Sequence, residues 1–401
     1  MIDQNTRRPA PEHWSLSPWP VFDEADIAAV TEVLRSGKVN YWTGDVARQF
    51  EKEFAQRFGT RYAIALANGT VALELALYAL GIGPGDEVIT TCRTFIASAS
   101  AVVMRGATPV LADVDPVSQN ITAATIEKVL TPRTRAIIAV HLAGWPCEMD
   151  AIMSLARKNG LKVIEDCAQA HGATYKGQPV GCIGDMGAFS FCQDKIMTTG
   201  GEGGMLITND KSLWETSWAY KDHGKSYEVV YHRDKGPGFQ WLHESFGTNW
   251  RMTEMQAVLG CRALKKLDGW LHVRKRNAGI LSEALRDIPA LRITEPPSYL
   301  EHAYYKYYAF LRHEYLLPGW NRSRILRALE DSGIPGLTGT CGEIYLEKAF
   351  KNAGLGPPER LPNAMLLDET GIMFLVHPTL KVEDMHIMAA RIRQVFDRAS
   401  S

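Results

Sequence analysis

The stretch FSFCQDKIMTTGGEGGML, residues 189–206, joins two apolar runs through a loop that carries one lysine and a cluster of glycines. The runs Gly187–Phe191 and Gly204–Thr208 have strand length and are bounded by turn residues, so both read as β-strands. Lys195 falls on the short loop just past the first of them. Most lysines are solvated surface residues. What singles this one out is its neighbourhood: Gly200, Gly201, Gly203 and Gly204 imply close backbone approach or unusual dihedrals beside it. The cluster lacks the spacing of a Walker or dinucleotide-binding loop.

Outward from this segment, from about Asp23 to Asn209, helical and strand-like segments alternate with short Gly/Pro/Asp punctuation, as in parallel α/β proteins. Further strands are expected at Glu87–Thr91, Thr108–Val114, Arg135–His141 and Lys162–Cys167, with helix-period stretches such as Val71–Leu80 and Met149–Asn159 between them. Residues 222–248 lack sustained periodicity, and an aperiodic segment of that length inside a compact protein is more often functional than neutral. Thr253–Lys266 turns helical and leads into a portion of different character. There Ser323–Ser332 and Val382–Ala399 read as helices and Lys306–Arg312 as a strand. The expected division is an N-terminal arm (1–22), a large domain (23–260) that includes the 222–248 loop, and a small C-terminal α+β domain (261–401).

Composition narrows the ligand. The 401 residues are 46% hydrophobic and 22% charged, ordinary for a globular chain. With 44 basic and 45 acidic side chains the formal net charge is -1, so no field favours nucleic acid or an anionic membrane. A small-molecule ligand is expected. Residues 1–20 are polar and proline-broken where a signal peptide is apolar, and no run is long enough to span a membrane, so a cytoplasmic location is expected. Seven scattered cysteines, never in C-x-x-C spacing, point to buried thiols and to neither a disulfide framework nor a metal site.

The residues that carry chemistry come in a consistent order. A pyridoxal-phosphate (PLP) site needs a lysine for the Schiff base, a carboxylate at the pyridine nitrogen, donors for the phosphate and a flat group against the ring. Lys195 supplies the first. Asp166, at the carboxyl end of the strand in KVIEDC, supplies the second, since open α/β sheets deliver functional groups at that edge; a capping or turn aspartate fits the position equally well. In ANGTVALELAL, Asn68, Gly69 and Thr70 open an apolar-periodic helix whose free N–H groups suit an anion, although the same residues make an ordinary N-cap. Phe95, in TTCRTFIASAS, could lie on the ring or simply in the core.

These segments together resemble the sugar aminotransferases of the DegT/StrS group, within the fold-type I PLP enzymes. The resemblance runs over nearly the whole chain, through LRSGKVNYWTGDVARQFEKEFAQRFG, NGTVALELALYALGIGPGDEVI, TFIASASAVVMRGATPVLADVD, VIEDCAQAHGATYKGQPVG, SFCQDKIMTTGGEGGM and TNWRMTEMQAVLG. It implies a large domain with a mostly parallel seven-stranded sheet flanked by helices, plus a smaller C-terminal α+β domain. It further implies that Lys195 is the Schiff-base residue and that Ser190, Gly69 and Thr70 bind the phosphate. Asp166 would pair with the pyridinium nitrogen, Gln169 would contact the phenolic oxygen, and Phe95 would stack on the ring. Asn249, in the family's N-x-R-M segment, would reach the cofactor of a second subunit, implying a homodimer with shared sites.

The reaction implied is transfer of an amino group, with L-glutamate as donor and pyridoxamine 5′-phosphate as the alternate form of the cofactor. The acceptor would be a nucleotide-linked keto-deoxyhexose, in cell-surface polysaccharide or natural-product sugar biosynthesis. A keto-inositol acceptor, or a PLP-dependent sugar dehydratase on the same scaffold, are the alternatives; a histidine replaces the lysine in the dehydratase branch, and Lys195 argues against it. Tyr41, His171, His302 and His377 are substrate-side candidates, each equally readable as a packed structural residue. Departures from the family pattern are Asn68 for serine, Cys167 for alanine and one extra glycine after Lys195.

Overall fold

The computed structural model describes residues 14–233 and 241–400. Its centre is a seven-stranded sheet formed by β1 (Tyr62–Leu66), β2 (Glu87–Thr91), β3 (Thr108–Ala112), β4 (Thr134–Val140), β5 (Lys162–Asp166), β6 (Met186–Ser190) and β7 (Gly204–Thr208), in the order β1-β7-β6-β5-β4-β2-β3. The pairs β3/β2, β2/β4, β4/β5 and β5/β6 are parallel, whereas β7 runs antiparallel to both β6 and β1. The six strands located from the sequence are all present. The seventh, YAIAL at β1, has too few residues to show a period, and a run that short reads equally as helix or strand.

Two layers of helices cover the sheet. On one face Gly69–Ala79 buries Ala72, Leu73, Leu75, Ala76 and Leu77. On the other, Val46–Phe58 places Phe50, Phe54 and Phe58 at i, i+4 spacing on a single face. Those rings meet Phe189 and Phe191 at centroid distances of 4.9–5.8 Å. Each buried Phe contributes about 1.5–3 kcal/mol, so the strand that precedes Lys195 is firmly anchored.

A second, antiparallel sheet of β8 (Leu291–Ile293), β9 (Tyr307–Leu311) and β10 (Gly371–Phe374), in that order, packs with helices Arg322–Asp331 and Val382–Ala399 around Ile325, Leu329, Phe374, Ile392 and Phe396. The two parts are joined by a 32-residue helix, Glu254–Leu285, begun by a capping box between Thr253 and Gln256. It is twice as long as its sequence pattern suggests because Arg274 and Asn277, both buried, interrupt the apolar stripe of its second half. Within the aperiodic segment 222–248, Tyr227–Tyr231 forms a short helix and residues 234–240 lie outside the described ones. The cysteines are all unpaired; four are buried, while Cys341 is exposed, against expectation, because it lies on the loop after the second part's first helix.

The order of connections fixes where a site can form. From β2 the chain moves outward to β3 and then returns to the far side of β2 for β4, which creates a crevice at the carboxyl ends of these strands. The loops after β1, β2, β4, β5 and β6 all open at that edge.

Candidate active site

Asp166 closes β5 and is 5% exposed. Its carboxylate accepts from the Ser98 hydroxyl at 2.8 Å and from the Ala168 N–H at 3.1 Å. Burial pushes its pKa up, against the pull of those two donors and of the Lys195 and His141 charges. Ser98 in turn lies 3.0 Å from Thr94 Oγ1, so the β2 loop and the β5 end are tied together beneath the site.

The Lys195 amine lies 4.9 Å from the centroid of the Tyr305 ring and makes no ion pair among the described residues. Its carbonyl accepts from Trp19 Nε1 at 3.0 Å, which pins the loop. Tyr305 donates to Asp194 at 2.6 Å, and Lys306 lies 3.3 Å from the same carboxylate. Burial works against the Asp194 charge, yet the Tyr305 hydroxyl and the Lys306 and Lys195 cations hold its carboxyl below the usual range.

Beside this pair, Gly69 begins its helix against Ser190, and a Cβ at Gly69 would lie 2.6 Å from the serine Cβ. Asn68 caps the helix by accepting from Val71 N–H at 3.0 Å, which leaves the Gly69 and Thr70 N–H groups at an open helix start facing the Ser190 side. Such a cradle suits a small anion. Phe95, 64% exposed, stands on the loop after β2 with no aromatic partner among the described residues. Gln169 uses its Oε1 to accept from Ala143 N–H at 2.8 Å. Asn249 is exposed and pairs by backbone with Asp222; Trp241 and Phe246, earlier in the same segment, are strongly exposed.

The four substrate-side candidates separate. His171 is fully buried between Phe189 and Phe191, and burial brings its pKa down to about 3. Tyr41 is 2% exposed; its hydroxyl reaches Glu51 at 3.2 Å and its ring receives the Lys221 ammonium at 3.8 Å. His377 stacks on Trp19 and bonds Thr379, with its pKa lowered to about 4 by burial and by the Arg274 and Lys306 charges. His302 stacks on Tyr304 and lines a cleft with Gln119, Ala143, Trp145 and Lys306. Of the four, His302 alone lines that cleft.

His141, Glu165 and Cys167 bring ligand-type atoms within 4.8 Å of one another. Hydrogen bonds already occupy the first two. Glu165 accepts from the N–H groups of Gly181, Ile183 and Gly184, and His141 accepts from Cys147 N–H through Nδ1, so its Nε2 proton points at Glu165. This cluster braces β4 and β5.

The carboxylate, the unpaired amine, the anion cradle and the exposed ring are the parts a PLP site needs, gathered at one sheet edge. The sequence profile of the DegT/DnrJ/EryC1/StrS aminotransferase family matches residues 20–393. The chain belongs to that family. It is a PLP-dependent aminotransferase with the α/β fold of those enzymes. The crystal structure of the aminotransferase from Psychrobacter cryohalolentis superposes with a TM-score of 0.94 at 56% identity, covering 95% of this chain and 99% of that one. The UDP-N-acetyl-3-dehydro-alpha-D-glucosamine 3-aminotransferase of Acidithiobacillus ferrooxidans is 44% identical over 351 residues, 88% of this chain and 89% of that protein. The spore coat polysaccharide biosynthesis protein SpsC of Bacillus subtilis is 36% identical over 378 residues, 94% and 95% of the two chains. Among the described residues no helix is long and apolar enough to cross a membrane.

Proposed function

We propose that this aminotransferase moves an amino group from L-glutamate to the ketone of a nucleotide-linked sugar, using PLP held on Lys195. The observation that carries the reading is the Lys195 amine, which makes no ion pair among the described residues, on the loop after β6 and close enough to the buried Asp166 carboxylate at the end of β5 to act on its charge. The substrate class rests on the Acidithiobacillus relative, whose name gives a nucleotide keto-sugar.

Bound there, the cofactor supplies an electron sink for the carbanion at the amino-bearing carbon. The chain does the rest. Gly69, Thr70 and Ser190 would hold the phosphate, and Phe95 would cover the ring. Asp166, kept in place by Ser98 and Ala168, would keep a proton on the ring nitrogen. Gln169 would contact the phenolic oxygen. Freed when the donor's amine takes its place, the Lys195 amine would accept the proton from the donor's Cα and give it to the cofactor carbon that had carried the lysine, and would move it in the reverse direction with the acceptor. Asn249 completes the site of a second copy of the chain, and a homodimer follows, with each contact made twice.

Single-turnover spectroscopy tests the reading: L-glutamate should convert the cofactor and release 2-oxoglutarate, and a panel of nucleotide keto-sugars should then restore the original spectrum. A protein whose cofactor glutamate leaves unchanged is not a glutamate aminotransferase, and restoration by keto-inositols alone would move the acceptor to the cyclitols.

A further inference from the structure

Trp19 lies on the N-terminal arm, which takes no part in the reaction described above, yet its half-buried indole meets three elements at once. The ring packs edge-on against Trp270 at 5.2 Å, lies flat against His377 at 6.3 Å and faces the Arg274 guanidinium at 5.3 Å. Its Nε1 donates to the Lys195 carbonyl at 3.0 Å, across 176 positions of sequence. The Lys195 N–H is taken as well, donating to the Cys192 carbonyl at 3.1 Å. With both backbone groups held, the direction in which the side chain leaves the loop is fixed. The Tyr305 ring, 4.9 Å from the amine, meets its far end.

What holds Trp19 belongs to the joining helix and the second part. Thr379, on the loop after β10, donates from Oγ1 to the Pro18 carbonyl at 2.9 Å. A hydroxyl has one proton to give, so the 2.8 Å contact between Thr379 Oγ1 and His377 Nδ1 is donated by the imidazole. Burial and the Arg274 and Lys306 charges bring the His377 pKa down to about 4, so near neutral pH the ring that stacks on Trp19 is uncharged and carries its proton on Nδ1. Arg274, on the joining helix, donates from Nη1 to the carbonyls of Tyr304 at 3.3 Å and Tyr305 at 3.2 Å while its guanidinium faces Trp19. Tyr305 in turn donates to Asp194, the residue before Lys195, at 2.6 Å. The lysine's loop is gripped from two sides, and both grips run back to Arg274.

We propose that Trp19 is a positioning residue for Lys195, and that with Tyr305 and Arg274 it forms a clasp through which the seating of the second part sets where the lysine amine stands. Resting on the reading of Lys195 above, the clasp serves the proton transfer, in which the amine must come within hydrogen-bond reach of the carbon it deprotonates. A misplacement of about 1 Å can cost about 100-fold in rate. The loop has little stiffness of its own, since it runs on into Gly200 and Gly201 with φ of 85° and 124°, where glycine moves most freely. Holding the backbone of the lysine acts on the rate of transfer and leaves donor binding alone.

The test uses Trp19→Phe, which keeps a ring against His377 and removes the donor, and Tyr305→Phe, which removes only the hydroxyl that holds Asp194. In the single-turnover reaction of the holoenzyme with L-glutamate, the limiting rate should fall about tenfold in each variant. The glutamate concentration at half the limiting rate should stay within about twofold of wild type. Hydrogen exchange on the full chain should quicken about tenfold at residues 192–199 and stay unchanged in the second sheet. Trp14→Phe is the control, because it deletes an arm bond of the same kind that ends on Asp384 at 3.1 Å, and both readouts should match wild type. A limiting rate that holds in Trp19→Phe, or that falls without quicker loop exchange, overturns the proposal. An equal loss in Trp14→Phe overturns it too, by making the arm a general brace, as does a higher half-rate glutamate concentration with the limiting rate intact. Should Trp19→Phe fail to fold in a thermal melt, Tyr305→Phe decides alone. If borohydride fixed the wild-type cofactor to another lysine, the reading of Lys195 would fall while quickened loop exchange still reported the clasp.

Discussion

Replacing Asp166 with asparagine separates the electrostatics of the site from its architecture. The amide fits the same volume: its oxygen can still accept from Ala168 N–H, and its NH2 can donate to Ser98 Oγ, whose own proton turns toward Thr94 Oγ1 at 3.0 Å. What disappears is the charge opposite the ring nitrogen. Breaking one side of a buried charged pair is worth about 3–5 kcal/mol, which corresponds to roughly a 10²–10⁴-fold loss in turnover. Steady-state kcat/KM with glutamate and a keto-sugar acceptor measures it, and a loss under about fivefold would refute the reasoning and leave Asp166 a strand-end cap. Stability should move the other way. Burial raises the folded-state pKa of Asp166, so its contribution is full below the unfolded carboxyl value and lost as pH rises through the folded one. The cofactor-free Asn variant should therefore melt no lower than wild type at neutral pH, with the gap closing in acid.

Lys195→Ala should abolish the borohydride-reducible cofactor linkage seen by intact mass; a reduced adduct on the variant would place the aldehyde on another lysine. In Gly69→Ala the new methyl lies 2.6 Å from the Ser190 Cβ, so we expect a loss of about 1–3 kcal/mol in stability and weaker PLP binding by fluorescence titration, and unchanged affinity would exclude the cradle as the phosphate site. His171 binds its proton with a pKa of about 3 when folded against an ordinary value of about 6.5, so stability falls as pH drops through that window. His171→Leu should flatten the pH dependence of the melting temperature there, and an unaltered slope would mean the ring is not the group that titrates.

Much of this was legible along the chain because the signals are local. A buried strand shows as an apolar run, a helix start as Asn68 before an apolar stripe, and a strand end as Asp166 followed by turn residues. Tyr62–Leu66 escaped for want of length, and the second half of the Glu254–Leu285 helix because its buried face includes Arg274 and Asn277. The lone aromatics and histidines were undecidable for a different reason. Tyr41, His171, His302 and His377 look alike in sequence, and their surroundings alone distinguish a ring enclosed by phenylalanines from one lining a cleft.

The sequence by itself determined the alternating architecture, the lysine on its loop and the aspartate at its strand end, since each depends on residues within a few positions of one another. Tertiary structure decided what those groups touch. Ser98 meets Asp166 across 68 positions, Tyr305 meets Asp194 across 111, and Arg93 meets Gln119 across 26. Such meetings follow from strand order and from the packing of the second sheet on the first, which no local periodicity encodes.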